Sequence, residues 1–374
     1  MNESPARERP KNTYTALDFF AGSGLVTEAL SPWFNVVWAN DVSAKKARTY
    51  AANHGEGHFV FEDIKNISGT QLPPAILAWA SFPCQDLSLA GKIGGIHAPR
   101  SGLVWEWLRV LDELDARPPI LVAENVLGLL SSKGGAGYID LHNALTERGY
   151  NVGPLLIDAR RFLPQSRPRV FVVAARHGIP IKQLPRGKDL WAQTGKVFSR
   201  LRERLDNVVP WDIEPPKALI PRLEECIEKD APFPKKEWQE HNLSLILEKR
   251  LKQFDSSKET ISAGYRRIRN GRQVLEIRFD GIAGCLRTPC GGSSKQLLIF
   301  KAAEGFKIRF MTAREAARLM GAPDSYKLPG TYLDGYMAMG DAVAMPAARH
   351  LAKYLLHPLA EVACANVRKH QEAV

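Results

Sequence analysis

Short apolar runs alternate with amphipathic stretches along residues 14–178. Six of these runs, bounded by turn residues, predict β-strands: TALDFF, NVVWAN, AILAWAS, PILVAEN, VGPLLID and VFVVAA. In residues 101–116, five apolar positions share one face at the helical period: Leu103, Trp107, Val110, Leu111 and Leu114. Alternation of strands with helices predicts an α/β fold, in which helices cover both faces of an open sheet.

The pattern changes after about residue 178. Proline-rich stretches replace the alternation, and residues 265–300 contain short strand-like pieces separated by NG, DG and GG turns. Helical patterns return near the C-terminus. We therefore predict a disordered tail at 1–13, an α/β domain at 14–178, a smaller irregular domain with a hinge at 179–325, and a segment at 326–374 that returns to the first domain.

The distribution of charge changes this picture more than the total charge does. The chain has a formal net charge of +11, and residues 261–310 contain ten Lys or Arg against three Asp or Glu. Such a basic cluster is typical of a module that binds a polyanion. A solvated basic face explains the charge alone equally well.

Hydropathy and cysteine content indicate the compartment. No apolar run approaches the ~20 residues of a membrane-spanning helix, and the polar N-terminus lacks the apolar core of an export signal. The five cysteines are irregularly spaced, without the pairs typical of a zinc site or a disulfide framework. These features predict a cytoplasmic protein without a metal site, and they leave thiolate chemistry open at any cysteine.

A strand, a glycine-containing turn and the start of a helix follow one another in LDFFAGSGLVTEAL. Gly22 and Gly24 would allow a ligand to approach the backbone closely, although a purely structural turn is at least as common for this pattern. Asp41 ends the next strand, where such folds place an acid on ribose hydroxyls, and Asp63 follows the third strand position. The turn lacks a full pyrophosphate fingerprint, which argues against NAD or FAD and favours S-adenosylmethionine.

A cysteine stands where a buried strand gives way to a loop, in the sequence FPCQ. A free cysteine beside a core strand is usually a small buried hydrophobe. However, Glu124 and Asn125 end another predicted strand, and Arg167 and Arg169 precede a later one. A thiol, a carboxyl group and two guanidinium groups can therefore converge at the carboxyl edge of the sheet.

This set of groups suits methylation of cytosine at carbon 5. That carbon is a poor nucleophile until a thiolate adds to carbon 6 and makes the ring enamine-like. A protonated carboxyl group at ring N3 and an arginine at O2 would stabilise the adduct, and a nearby arginine would keep Cys84 ionised.

The chain resembles the DNA (cytosine-5)-methyltransferases of bacterial restriction–modification systems. The matching blocks run in family order from Leu17 to about Leu351: DFFAGSG, AND, EDI, SFPCQDLS, ENV, QSRPR, RFMTAREAARLMGAP and GDAVAMPAARHLA. PCQ, ENV and the Gln-x-Arg-x-Arg pattern are specific, whereas the glycine turn alone is not. The resemblance implies a Rossmann-like S-adenosylmethionine-dependent catalytic sheet and a smaller, irregular target-recognition domain.

The resemblance also implies a role for each matching residue. Cys84 is the expected nucleophile, Glu124 the carboxyl group at N3 and Arg169 the donor to O2, with support from Asn125, Gln165 and Arg167. The expected cofactor pocket consists of Phe20, Ala21, Gly22, Gly24, Asp41, Val42, Asp63, Ile64, Pro83, Leu103, Asp341 and Ala342. The target base would be flipped out of the duplex. The expected DNA contacts are Gln85, Ser88, Arg100, Arg266, Arg267, Arg269, Arg272, Arg287, Ser293, Ser294 and Lys295.

One segment near the basic region is predicted to be structural. In RFMTAREAARLMG, Thr312 should cap a helix, and Glu315 should complete a capping box. Arg309 and Arg314 are therefore expected to support the fold and not to read bases.

Three positions depart from the usual pattern of the family. Leu25 follows Gly24 in place of a further glycine, Val42 stands where a large aromatic often stacks on adenine, and Asp341 replaces an asparagine. These departures bear on cofactor affinity and remove no catalytic group.

Two alternatives remain open at this level: a catalytically silent DNA-binding relative, and an RNA cytosine methyltransferase on the same fold. We expect a monomer that acts on double-stranded DNA, with a cognate restriction endonuclease as a further partner.

Overall fold

The strands form two sheets in the computed structural model, which describes residues 14–83, 102–184, 191–193, 195–205, 208–288 and 295–371. The strands of the first sheet are β1 (Tyr14–Phe19), β2 (Phe34–Asp41), β3 (Phe59–Phe61), β4 (Leu77–Ala80), β5 (Ile120–Val126), β6 (Tyr150–Asp158) and β7 (Pro168–Arg176). Their order is β3-β2-β1-β4-β5-β7-β6. Each of the six apolar runs predicted to be a strand forms one, and the predicted α/β fold class is confirmed.

The order of the strands in the first sheet contains a reversal at β1. Strands β1 to β5 run parallel, whereas β7 lies antiparallel between β5 and β6. The chain builds outward from β1 to β3 and then returns to place β4 on the other side of β1. Open α/β sheets bind ligands at such a reversal, outside the carboxyl ends of the strands. The ends of β1, β2, β4 and β5 meet there.

Helices cover both faces of this sheet. The helices of the described chain are α1 (Leu25–Leu30), α2 (Ala44–His54), α3 (Leu103–Asp112), α4 (Gly128–Ser131), α5 (Ala136–Glu147), α6 (Lys196–Arg202), α7 (Lys236–Ser244), α8 (Glu248–Asp255), α9 (Ala313–Leu319), α10 (Tyr332–Asp341), α11 (Met345–Leu351) and α12 (His357–Gln371). Because side chains alternate along a strand, β4 contributes to two cores. Trp79 belongs to the core that contains Leu351 of α11, and Ala78 belongs to the core that contains Trp107 of α3.

The C-terminal helices pack against the start of the chain. Arg349 of α11 donates a hydrogen bond from Nη2 to the Glu28 carbonyl of α1 at 2.9 Å, and Leu25 and Leu351 are buried in the same core. In the part of the chain that the structure describes, no helix is long and apolar enough to cross a membrane.

The second sheet is antiparallel, and two helices cover one of its faces. Its strands are β8 (Ile261–Arg269), β9 (Arg272–Ile277), β10 (Gln296–Ala302) and β11 (Gly305–Phe310), in the order β11-β10-β8-β9. The turn between β8 and β9 has positive φ angles at Asn270 (50°) and Gly271 (74°), as two-residue hairpin turns of type I′ require. Phe254 of α8 is fully buried and stacks on Phe279 and Phe306.

A buried ion pair joins the second sheet to α9. Arg309 donates from Nη1 to Oε2 of Glu315 at 2.8 Å, and their side chains are 3% and 0% exposed. Glu315 also accepts from the Thr312 amide at 2.8 Å, and the Thr312 hydroxyl accepts from the Glu315 amide at 3.1 Å. The predicted capping box is confirmed. The carboxylate thus neutralises a buried charge and begins a helix.

Glu315→Gln should lower the free energy of unfolding by about 3 kcal/mol, because it leaves the Arg309 charge buried without its counter-charge. Asp324→Asn is the matched control. It breaks the ion pair between Arg318 and Asp324, and the Asp324 side chain is 64% exposed. This control should cost less than about 1 kcal/mol. Urea unfolding at pH 7 measures both variants, and equal losses would show that burial does not set the cost.

Candidate active site

Glu124 and Arg169 form an ion pair at the carboxyl end of β5. The antiparallel register pairs Val126 of β5 with Arg169 of β7, and Nε of Arg169 lies 3.2 Å from Oε1 of Glu124. Burial raises the pKa of Glu124 above its ordinary value, although Arg169 and Arg167 act in the opposite direction. The carboxyl group therefore holds a proton to a higher pH than an exposed glutamate does, and in that form it can donate a hydrogen bond.

Asn125 fixes the backbone that leads to position 84. Its Nδ2 donates to the Phe82 carbonyl at 3.2 Å, and its Oδ1 accepts from the Val126 amide at 2.8 Å. Phe82 is buried and Pro83 is half-buried. The segment after β4 is thus anchored on β5, next to Glu124. The expected nucleophile and three expected DNA contacts lie outside the described residues: Cys84, Gln85, Ser88 and Arg100.

Arg167 joins three segments of the chain. Its Nη1 donates to the Leu286 carbonyl at 2.7 Å, and its Nη2 donates to the Gly340 and Ala342 carbonyls at 2.9 and 2.6 Å. The side chain of Gln165 accepts from the Leu286 amide at 3.0 Å. Both side chains are almost completely buried, so they position the backbone around the site and do not reach solvent.

The turn after β1 has an uncommon backbone conformation. Phe20, Gly22 and Gly24 have positive φ angles of 56°, 59° and 90°. Asp41, at the end of β2, holds the turn in place, since its Oδ2 accepts from the Gly22 amide at 3.0 Å. Its Oδ1 accepts from the Ser43 amide at 2.8 Å. The glycine turn and the acid of β2 therefore form one unit.

The surroundings of Asp41 fit a nucleoside. A carboxylate has about four lone-pair sites, so Asp41 can accept from hydroxyl groups besides the two amides. Val42 and Phe61 are apolar but 64% and 56% exposed, and they offer an uncovered surface to a ring. Asp63 caps a short helical turn through its Oδ1. The other expected pocket residues near these strands are buried or half-buried: Ala21, Ile64, Pro83 and Leu103.

Asp341, the last residue of α10, binds two partners. Its Oδ2 lies 2.8 Å from Nζ of Lys46 on α2, and its Oδ1 accepts a hydrogen bond from the Thr288 hydroxyl. Burial disfavours the charge on Lys46, but Asp341 and Asp41 outweigh it and raise the Lys46 pKa. The carboxylate thus connects α2, which follows Asp41, with the segment that precedes β10.

Asp18, a buried carboxyl group of β1 two residues before the turn, is not among the site residues predicted from the sequence. Its Oδ2 accepts from the Thr27 hydroxyl at 2.9 Å, and its Oδ1 has no hydrogen-bond partner among the described residues. Burial, with a smaller contribution from Asp41, raises the pKa of Asp18 to about 7. The available signal was an aspartate inside an apolar run, TALDFF.

The β8–β9 hairpin forms one wall of a basic cleft of about 1060 Å³. Side-chain alternation places Tyr265, Arg267 and Arg269 on the face that lines the cleft. On the same face of β9, Glu276 pairs with Tyr265 and Arg272 pairs with Arg269. Further arginines complete the lining: Arg250, Arg278 and Arg287. The cleft is therefore strongly positive, as the charge of residues 261–310 predicted.

Arg266 lies on the opposite face of β8. Its Nε donates to Oδ1 of Asn242 at 2.9 Å, and its guanidinium group lies 5.7 and 5.5 Å from the ring centres of Trp238 and Phe310. Lys295 also lies over Phe310, at 5.6 Å. The structure does not bring these two expected DNA contacts into the cleft. Two others, Ser293 and Ser294, lie outside the described residues.

Cys285 is a second residue that the sequence analysis did not identify. It lines the cleft, and its Sγ lies 3.5 Å from Nη1 of Arg167. Burial opposes ionisation of this thiol, but Arg167, Arg169 and Arg287 outweigh it and lower the Cys285 pKa. The described part of the site therefore contains a thiol with enhanced thiolate character. Cysteine spacing gave no signal for it.

Asp18→Asn should remove a pH dependence of stability. The pKa of about 7 in the folded chain exceeds the ordinary value of 3.8, so protonated Asp18 stabilises the fold at low pH. This contribution is lost as the pH rises from about 4 through 7. Urea unfolding should show the wild-type free energy falling relative to the variant by up to about 1.4 kcal/mol per pH unit, then levelling off. A difference that stays constant from pH 5 to 8 would contradict this assignment.

Known proteins are similar to this chain over nearly its whole length. A family model described as C-5 cytosine-specific DNA methylase matches residues 14–357. The type II methyltransferase M.FnuDI of Fusobacterium nucleatum is 28% identical over 353 residues, which are 92% of this chain and 95% of that protein. The type II methyltransferase M.HpaII of Haemophilus parainfluenzae is 27% identical over 370 residues, which cover 93% of this chain and 91% of that protein.

Solved structures share the fold. Dnmt2 methyltransferase of S. pombe aligns with a TM-score of 0.59 and 20% identity over 92% of this chain and 99% of that chain. The methyltransferase EhMeth of Entamoeba histolytica aligns with a TM-score of 0.63 and 16% identity, over 92% of this chain and 98% of that chain. At these identities the structures support the fold, whereas the family model confirms the resemblance seen in the motifs. The chain belongs to the C-5 cytosine-specific DNA methylase family and is a DNA cytosine-5-methyltransferase.

Proposed function

We propose that the protein methylates cytosine within a short sequence of double-stranded DNA, with Cys84 as nucleophile and S-adenosylmethionine as methyl donor. One observation carries the proposal. The backbone that leads to Cys84 is hydrogen-bonded to Asn125, the direct neighbour of Glu124 in the Glu124–Arg169 pair. A thiol, a protonatable carboxyl group and a guanidinium group can thus act together on one base.

Each of these side chains has a defined task. The thiolate of Cys84 forms a bond to carbon 6 of the flipped cytosine, and the electron pair of the ring double bond moves toward N3. The raised pKa of Glu124 favours its protonated form, which donates a hydrogen bond to N3, and Arg169 donates to O2. Carbon 5 would then bond to the methyl group, and the donor would leave as a neutral thioether. Loss of the carbon-5 proton to a base, return of the N3 proton to Glu124 and departure of the Cys84 sulfur would restore the double bond.

The residues around the glycine turn would hold the cofactor. Asp41 would accept from ribose hydroxyls, and the exposed side chain of Val42 would contact the purine. When bound, S-adenosylmethionine supplies an electrophilic methyl group. The partly exposed Asp341–Lys46 pair would close the pocket on the α10 side.

DNA would lie along the basic cleft. Arg267, Arg269, Arg272 and Arg287 would hold phosphates or reach guanine edges. We leave Arg266 and Lys295 out of this set, since aromatic rings hold both outside the cleft.

Two relatives are type II methyltransferases by name, which supports a role in restriction–modification. In this role, methylation would protect cytoplasmic DNA against a cognate endonuclease, and we propose a monomer as the active form.

A duplex of random sequence that contains 5-fluorocytosine should trap the protein covalently when S-adenosylmethionine is present. Fluorine at carbon 5 cannot leave as a proton does, so the bond to Cys84 persists. A denaturing gel should show a shifted band for the wild type and none for Cys84→Ser. Sequencing of the trapped DNA would give the target.

Two other thiols serve as comparisons in the trapping experiment. Cys364→Ser, on α12, should keep the band and controls for loss of a thiol. Cys285→Ser should also keep it, because Cys285 is not the proposed nucleophile. A band that persists in Cys84→Ser and disappears in Cys285→Ser would identify Cys285 as the nucleophile and overturn the proposal.

Loss of cleft arginines should weaken DNA binding in a salt-dependent way. For Arg269→Ala combined with Arg272→Ala, the slope of log affinity against log salt should fall by about 2, because each lost phosphate contact removes about 0.9. Fluorescence anisotropy across a salt series measures the slope. Lys236→Ala, on α7 at the opposite face of the sheet and 85% exposed, should leave it unchanged. Equal slopes for the double variant and the wild type would place the DNA elsewhere.

A further inference from the structure

Lys46 lies beside the glycine turn. It belongs to α2, five residues after Asp41, and its Cδ lies 3.9 Å from the position that a Cβ on Gly22 would occupy. The ammonium group pairs with Asp341 at 2.8 Å. A side chain on the proposed cofactor side of the molecule is thus tied to the end of α10.

The end of α10 packs directly on the backbone of the segment before β10. A Cβ on Gly340 would lie 2.8 Å from the Arg287 carbonyl carbon and 2.9 Å from the Thr288 amide nitrogen, so no side chain fits between them. The Thr288 hydroxyl donates to Asp341, and Arg167 bridges the Leu286 and Gly340 carbonyls. A displacement of the end of α10 must therefore move residues 286–288 with it.

The same segment faces the basic cleft. Arg287 lines the cleft, one residue before the threonine that binds Asp341. Polar contacts therefore run from Lys46 through Asp341 to Thr288, and the residue before Thr288 in the chain is an arginine of the proposed DNA site. The two oxygens of the Asp341 carboxylate have different partners: Oδ2 pairs with the Lys46 ammonium group, and Oδ1 accepts from the Thr288 hydroxyl.

We propose that Asp341 is a positioning residue that couples the two sites, so that occupancy of the cofactor pocket sets the affinity of the cleft for DNA. The inference rests on the proposed cofactor and DNA sites and adds the connection between them. By thermodynamic linkage, DNA must strengthen cofactor binding by the same factor as cofactor strengthens DNA binding. An asparagine at this position would keep the hydroxyl contact but would lose the ion pair.

The chain offers a matched control on the same two helices. Lys45, next to Lys46, forms an ion pair of 2.7 Å with Asp334 of α10. Lys45→Met therefore removes one positive charge and one α2–α10 ion pair without removing a partner of Asp341. Because the Lys46 charge also acts on Asp41, an effect is assigned to the contacts of Asp341 when Lys46→Met and Thr288→Val share it and Lys45→Met lacks it.

The experiment measures DNA affinity with and without S-adenosylhomocysteine. The probe is a duplex selected from a random pool by binding to the wild type, read by fluorescence anisotropy, and calorimetry gives the affinity for S-adenosylhomocysteine. In the wild type, S-adenosylhomocysteine should tighten DNA binding by about tenfold. In Thr288→Val and Lys46→Met the ratio should fall below about twofold, and in Lys45→Met it should stay at the wild-type value. Thr288→Val should bind S-adenosylhomocysteine alone as the wild type does.

Wild-type ratios in Thr288→Val and Lys46→Met would overturn the coupling. So would a wild type that binds S-adenosylhomocysteine but shows no change in DNA affinity, or a Lys46→Met variant that loses DNA affinity equally with and without it. A wild type that does not bind S-adenosylhomocysteine would instead contradict the proposed cofactor, so the two failures are distinguishable. Circular dichroism of each variant confirms that it is folded.

Discussion

The burial of the Arg167 guanidinium group is the constraint on which the arrangement around the site depends. Burial lowers the pKa of Arg167, but an arginine keeps its charge in proteins, so its terminal nitrogens need acceptors in the interior. Carbonyl groups of Leu286, Gly340 and Ala342 accept from these two nitrogens, whereas Nε has no hydrogen-bond partner among the described residues. Loss of any of these partners would leave a charged donor unpaired in the interior, which is why three distant segments are held at one point.

Burial also separates the tasks of two arginines that stand two residues apart. Arg167 is 1% exposed and binds backbone carbonyls, whereas Arg169 reaches Glu124 at the edge of the crevice. The same division applies in β8. Arg266 is held between aromatic rings and Asn242, and Arg267 lines the cleft. Arg266 and Arg267 are neighbours in β8, so the face of the strand decides which of them supports the fold and which lines the cleft. Arg167 precedes β7 and Arg169 lies on it, so the packing around each side chain, and not strand alternation, separates their tasks.

Much of the first domain could be predicted because its signals are local. Apolar runs gave the strands, and the Thr312 capping box needs only four adjacent residues. Specific motifs gave the family. The face of Arg266 could not be predicted, because it depends on Trp238 and Phe310, which come from other elements. Cys285 gave no signal either, since its properties arise from arginines that the fold brings to it.

The proposed ligands differ in charge, and so do their sites. S-adenosylmethionine carries a positive sulfonium group, and the carboxyl groups of Asp41 and Asp63 lie at and after the carboxyl ends of β2 and β3. DNA is a polyanion, and its cleft is lined by arginines. Each field favours its own ligand and disfavours the other. The Lys46–Asp341 pair lies between them, and a carboxylate there balances a lysine that would otherwise add positive charge beside a cationic cofactor. Aspartate at this position is therefore consistent with the electrostatics of both sites.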